Sequence, residues 1–193
     1  MNLLELAHKA RSIRRFDAAR PLDLATLRQV LEPARLAASP GNLQPLRYRL
    51  VAAPEECALV FPHLRWARYL KDWQGPAPQE VPTGYLAILG DPQSAKSFDL
   101  DLGLVCSLIS LSAAEQGLGA CVIMAMEKRA ISAALRLPQA LELLAVVALG
   151  WPQETVILET AQKGEIKYWR DEAGRHHVPK RPWEELILPP PQA

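Results

Sequence analysis

Apolar positions along the chain change period several times, and each change marks an element. Leu3, Leu4, Leu6 and Ala7 share a helical face. Asp23 reads as the N-cap of a second helix in which Leu24, Leu27, Val30, Leu31, Ala34 and Ala38 recur as far as Ser39. Pro33 lies inside that run, so the helix is expected to kink or divide there. Tyr48 and Leu50 then alternate with Arg47 and Arg49 and lead to Val51, which predicts a strand with one wet face at a sheet edge. Residues 54–82 return to an interrupted helical pattern with Trp66, Tyr69 and Trp73 among Arg65, Arg68 and Lys71, broken by Gly75-Pro76-Ala77-Pro78. That segment reads either as a mobile cover over a ligand pocket or as a surface helix packing through its aromatics.

Residues 84–90 predict a buried strand, and residues 98–116 a helix apolar around nearly its whole circumference: Leu100, Leu102, Leu104, Val105, Leu108, Ile109 and Leu111. A helix apolar on every side is buried on every side, and in so short a chain a second subunit is the simplest cover, so a homodimer is expected. Gly117-Leu118-Gly119 stops the helix. Residues 120–125 and 143–150 predict two further strands, separated by a helix over 127–137 that ends at Pro138. Residues 166–175 read as an extended segment turning at Gly174, followed by a last amphipathic turn and Pro189, Pro190 and Pro191.

Length and composition narrow the picture. At 193 residues the expectation is one domain spanning 1–193. The 22 Lys and Arg against 21 Asp and Glu leave a net charge of +1, too small a field to point to nucleic acid or acidic lipid, so any anion site must be local. Residues 1–15 carry Glu5, His8 and Lys9 within the apolar pattern and hold neither a signal-peptide core nor a membrane span, so a cytoplasmic protein is expected. Cys57, Cys106 and Cys121 read as small buried hydrophobes rather than a disulfide framework or zinc site. His176 and His177, adjacent on an extended segment, point to opposite faces and make a poor metal pair.

Two polar stretches carry candidate chemistry. Arg11-Ser12-Ile13-Arg14-Arg15-Phe16 can present two guanidinium forks and a hydroxyl to one phosphate, and reads otherwise as a solvated basic turn. Ser39-Pro40-Gly41-Asn42-Leu43-Gln44-Pro45 follows the helix. Asn42 and Gln44 each offer an amide that donates and accepts, suited to the edge of a flat heteroaromatic ring; the plainer reading is an Asx-type turn.

The order of these stretches is informative. Arg-Ser-x-Arg-x-Phe near the start, Ser-x-x-Asn-x-Gln-Pro some thirty residues on, Gly-Leu-Gly entering a strand and Gly-Trp-Pro before a basic tail together resemble the FMN-dependent nitroreductase family, over nearly the whole chain. The resemblance implies an α+β fold with a central, mainly antiparallel sheet flanked by helices, in an intertwined homodimer with two FMN sites at the interface. It implies that Arg11, Ser12 and Arg14 hold the FMN phosphate, joined by Lys180 or Arg181. Asn42 would meet the polar edge of the ring, with Ser39 and Pro40 lining it and Gln44 a further contact. Met124 and Ala125 fall where backbone N–H groups of the family approach flavin N5 and O4.

No catalytic side chain is needed, because the flavin carries the chemistry. NADH or NADPH would deliver hydride to N5, and a nitroaromatic, quinone or similar acceptor would then take the electrons. Other flavin chemistry on the same scaffold, such as dehalogenation or ene reduction, and a non-catalytic FMN-binding or sensing role are the alternatives. Three departures from the family pattern involve four positions: Ala10 stands where many relatives have another Arg, Met124 and Ala125 replace a Glu-Gly or Gly-rich pair, and Leu46 replaces a frequent Trp.

Overall fold

The computed structural model describes residues 2–190. Met1 and Pro191, which enter the readings of the first stretch and of the proline-rich end, lie outside them. The chain divides into two compact units. The first runs through Trp66 and resumes over Gln74–Gln153; the second combines Ala67–Trp73 with the chain from Glu154 onward.

The first unit is a four-stranded, wholly antiparallel sheet in the order β1-β2-β4-β3, formed by β1 (Leu46–Val51), β2 (Gly84–Gly90), β3 (Gly119–Ile123) and β4 (Glu142–Gly150). The alternation of Arg47 and Arg49 with Tyr48 and Leu50 fits the place of β1 at one edge. β2 and β4 occupy the centre and are buried almost throughout.

One face of the sheet, carrying Leu86, Ile88, Val147 and Leu149, packs on α4 (Asp99–Glu115) and α2 (Leu24–Leu31). Side chains alternate along a strand, so Tyr85, Ala87 and Leu89 point to the other face, where α3 (Pro54–Val60) and Tyr85 line one cavity and α5 (Lys128–Ala134) packs against α3. α1 (Leu3–Lys9) begins with a reciprocal capping box between Asn2 and Glu5 and packs against α4.

Several local expectations meet the structure. Asp23 Oδ1 accepts the Thr26 N–H at 2.7 Å and caps α2. Gly117 takes φ +74°, and the Leu118 N–H bonds back to the Ala113 carbonyl at 2.8 Å, the paired-turn ending that a left-handed glycine permits.

Others are corrected. The second helix does not run to Ser39: it ends at Leu31 and tightens into a 3-10 turn over Glu32–Leu36, because Pro33 cannot donate the next helical bond. The 54–82 pattern is α-helical only over Pro54–Val60, followed by short 3-10 turns at Phe61–His63 and Pro78–Glu80. The third strand stops at Ile123 rather than reaching Ala125, where its pairing with Val146 ends.

Within this one chain α4 is open along one stripe, since Leu100 is 60% and Leu104 36% exposed. An apolar stripe that the described chain leaves open is what a partner subunit would cover.

The second unit is a small three-stranded sheet in the order β5-β7-β6, with β5 (Val156–Thr160) parallel to β7 (His176–Lys180) and β6 (Trp169–Arg170) antiparallel to it. β5 had no clear signal in the sequence. His176 is fully buried, whereas His177 stacks on Trp169 at 4.0 Å with its two ring nitrogens facing Glu159 and Asp171, so the adjacent pair points to opposite faces. Tyr69 packs on Tyr168 at 4.9 Å, and the Arg170 guanidinium lies 4.6 Å over Trp73, so these aromatics of the 54–82 segment are used in packing. A four-residue α6 (Trp183–Leu186) follows. Among the described residues no helix is long and apolar enough to cross a membrane.

Candidate functional site

Residues 11–16 cross the sheet at the end where β3 begins and β4 finishes. Ser12 bridges Ala120 in parallel, Phe16 bridges Pro152, and the Ile13 N–H donates to the Ala120 carbonyl at 2.9 Å. Two glycines make this crossing possible. A Cβ on Gly119 would lie 2.7 Å from Ile13 Cγ2, and one on Gly150 would lie 2.9 Å from Phe16 Cδ1. Ile13 is buried and Phe16 is fully enclosed, the latter contributing about 1.5–3 kcal/mol through burial. The motifs around Gly119 and Gly150 are therefore the seat on which the basic segment rests.

That seat sorts the arginines. Arg15 turns to Glu80, donating from Nε at 2.7 Å and also from Nη2, which ties residues 74–82 to the segment. Arg11 and Arg14 are half-buried and Ser12 is exposed. Arg14 Nη1 donates to the Ser12 carbonyl at 3.3 Å. Arg11 Nη2 donates to the Ala7 carbonyl at 2.7 Å, while its buried Nε has no acceptor. Burial also pulls the Arg11 guanidinium below its ordinary value. A desolvated cation with an unused donor is costly unless an anion meets it. Beside it a recess of about 350 Å³ is lined by Ala10, Arg11, Cys106, Ser110 and Val122, with the Cys106 thiol pushed up to about 11 by burial.

Residues 39–45 are built from local bonds. Ser39 Oγ accepts the Gln44 N–H at 2.9 Å, and the Gln44 side chain donates to the Asn42 carbonyl at 3.2 Å. Three residues take left-handed backbone angles: Gly41 (φ +57°), Asn42 (φ +55°) and Gln44 (φ +47°). For Gln44 this conformation is strained, and the Ser39 hydroxyl helps to hold it. The turn is thus closed by Ser39 rather than by an Asx bond from Asn42. Pro40, Asn42 and Gln44 are exposed, and a separate recess of about 400 Å³ is lined by Ser39, Gln44, Tyr48, Asp101 and Val105.

The two groups occupy diagonally opposite corners of the sheet. Residues 39–45 lead into Leu46, which pairs with Gly90 and through it with Glu142. Ser12 lies beside Ala120, which pairs with Leu149, seven residues further along β4 and on the opposite edge. With about 3.4 Å per residue and ~4.8 Å per strand, the corners are roughly 30 Å apart. One chain does not bring Arg11, Ser12 and Arg14 together with Ser39, Pro40, Asn42 and Gln44.

Met124 and Ala125 lie just past the end of β3, both exposed. They are flanked by residues that the sequence did not single out. Leu64 bridges Met126, with Arg65 N–H donating to the Ala125 carbonyl and Glu127 N–H to the His63 carbonyl, each at 2.9 Å. The Glu127 carboxylate meets His63 Nδ1 at 2.8 Å and also Arg65 Nη2. The His63 hydrogen bond first, and then the Arg65 charge, hold Glu127 below its usual range. No local signal marks contacts that span more than sixty residues.

Lys180 and Arg181 belong to the second unit and are exposed. Arg181 is engaged by Glu185 at 2.6 Å. A larger apolar cavity of about 530 Å³, lined by Cys57, Phe61 and Tyr85 among others, lies on the sheet face away from α4 and contains none of the candidate residues.

The nitroreductase family model matches residues 7–151, which include both corners and the four strands of the first unit. No curated protein matches the chain. Among solved structures the chain is similar to a protein from Desulfovibrio desulfuricans named as a nitroreductase and solved in complex with FMN: 23% identity, 100% of this chain and 99% of that one, TM-score 0.69. It is similar to an FMN-dependent nitroreductase from Clostridium difficile, at 19% identity over 84% of this chain and 92% of that one with a TM-score of 0.62. A protein from Parabacteroides distasonis named as an NADH dehydrogenase/NAD(P)H nitroreductase shares 20% identity over 88% and 96%, TM-score 0.65. At these identities the likeness establishes the fold.

Proposed function

The chain belongs to the nitroreductase family, and from that premise we propose that it is an FMN-dependent oxidoreductase, residues 1–193 acting as one functional domain within a homodimer. The observation that carries the reading is the buried, unpartnered Nε of Arg11 beside Ser12 and Arg14, a local cationic site in a chain whose net charge is only +1. The FMN phosphate supplies the dianion that such a site lacks, through charge-assisted bonds that need no glycine-rich loop.

Arg11, Ser12 and Arg14 bind the phosphate. Of the two C-terminal cations, Lys180 is the better further donor, because Arg181 is already held by Glu185. The backbone of Met124 and Ala125 orients the ring. Ser39, Pro40, Asn42 and Gln44 come from the second copy, since their own corner is too distant. The open stripe of Leu100 and Leu104 on α4 is the surface that brings the copies together. Bound FMN would supply the redox chemistry at N5, accepting hydride from NADH or NADPH and reducing a nitroaromatic, quinone or similar acceptor.

An absorption spectrum of the purified protein, followed by anaerobic addition of NADH and then NADPH, tests the reading. Flavin bands that bleach are the expected result. Flavin that stays oxidised would replace turnover with storage or sensing, and a colourless protein that cannot be reconstituted with FMN would overturn the proposal.

A further inference from the structure

We propose that His63, Arg65 and Glu127 form a positioning clamp that holds the backbone of Met124 and Ala125 against the flavin ring. The inference rests on the functional reading above, which places the ring at that segment. It goes beyond that reading by identifying which side chains keep the segment in place.

The geometry is a short rung closed on both levels. Two backbone bonds, from the Arg65 N–H to the Ala125 carbonyl and from the Glu127 N–H to the His63 carbonyl, flank the Leu64 and Met126 bridge. Above them the Glu127 carboxylate is shared, with Oε2 at 2.8 Å from His63 Nδ1 and Oε1 against Arg65 Nη2. Leu64 is buried and anchors the rung to the first unit. Glu127 also opens α5, its carbonyl accepting the Ile131 N–H at 3.1 Å. The segment is therefore pinned at β3 on one side and by Glu127 on the other. Between these anchors Met124 and Ala125 are exposed and lie past the last paired residue of β3.

Exposed ion pairs such as these contribute little to global stability, so a role confined to folding does not account well for both carboxylate oxygens being engaged. Their effect is on position. Backbone donors aimed at a cofactor must be held within roughly 0.5 Å to act on it, and here the donors lie past the last paired residue of β3, with only the isolated Leu64–Met126 bridge beside them. N5 accepts a hydrogen bond in oxidised flavin and carries a hydrogen in reduced flavin. Donors held at N5 therefore favour the oxidised form, and loosening them raises the potential.

The test uses the full chain with Glu127→Ala, Arg65→Ala and Glu127→Gln. In flavin-free protein, amide exchange at Arg65 and Glu127 should rise about tenfold in the two alanine variants while the central strands keep their protection. In FMN-loaded protein both should bind oxidised FMN about tenfold more weakly with reduced FMN unaffected, which corresponds to a rise of ~30 mV for the two-electron couple. Glu127→Gln keeps an acceptor for Arg65 and a hydrogen-bonding group for His63, and should recover most of the parent potential.

Unchanged exchange and potential in both alanine variants would overturn the clamp. So would a glutamine variant that behaves like the alanine one, because the effect would then come from lost charge rather than lost position. A parent chain that binds no FMN would overturn the functional reading together with this one. A parent that binds FMN with the same potential as its variants would overturn the clamp alone.

Discussion

Where β3 begins and β4 ends, residues 11–16 are seated by side chains: Ile13 fills the space left by Gly119 and Phe16 the space left by Gly150, while Arg15 is tied to Glu80. At the opposite corner residues 39–45 keep their shape through the Ser39 hydroxyl and a run of left-handed backbone, with Pro40, Asn42 and Gln44 exposed. The first corner is part of the packed body of one chain. The second is a local construction that the described chain leaves exposed. On the proposed function, phosphate binding would be built into the fold of one chain, whereas recognition of the ring edge would wait on assembly.

The strongest way to break this contrast is to prevent assembly. Leu104→Asp places a charge on the open stripe of α4 without touching either corner, and should yield a monomer that loses FMN affinity by about 30-fold or more, ~2 kcal/mol, the size of a central interface residue. Sedimentation together with flavin retention checks it; a stable yellow monomer would mean that one chain completes the site. Leu104 is a cleaner position than Leu108, which also packs against the core.

Removing cations sharpens the contrast within the first corner. Arg14→Ala and Arg11→Ala should each weaken FMN by roughly 10- to 100-fold, the loss of a charge-assisted bond of about 1.5–3 kcal/mol, with the fold intact. Arg15→Ala, whose partner is Glu80, should leave FMN affinity within about threefold, since it takes no part in the phosphate site. Fluorescence titration of the flavin-free protein separates the three.

Gly119→Val tests whether packing seats the segment. Its Cβ would meet Ile13 near the backbone rather than at a flexible tip, so the expected cost is about 1–3 kcal/mol and the melting temperature should fall by about 2–4 °C per kcal/mol. The smallest effect belongs to the other corner. Ser39→Ala removes the acceptor for the Gln44 N–H and should cost about 1 kcal/mol locally. Faster amide exchange at Gln44 with little change in the melting temperature is the expected signature.

Much of the fold was legible in the chain. Asp23 announced a helix start because its short carboxylate suits an exposed N–H; Pro33 announced a break because it lacks one; Gly117 announced an end because it tolerates a positive φ. The alternation at Arg47 to Leu50 marked an edge strand. In the site, residues 11–16 and 39–45 stood out because polar types cluster there without a core to serve. Each of these signals lies within a few residues of its cause.

Three features became visible only in the folded chain. Register placed the two motif stretches roughly 30 Å apart on opposite corners, although both lie within the first fifty residues. Folding separated Arg15, bound by Glu80, from its neighbour Arg14, and brought His63 and Arg65 to Glu127 across more than sixty residues. It also left one stripe of α4 open although the helix is apolar all round. Periodicity specifies which side chains share a face. What covers that face, and which distant charge answers a given one, depends on how the elements close in three dimensions, where sequence separation no longer measures distance.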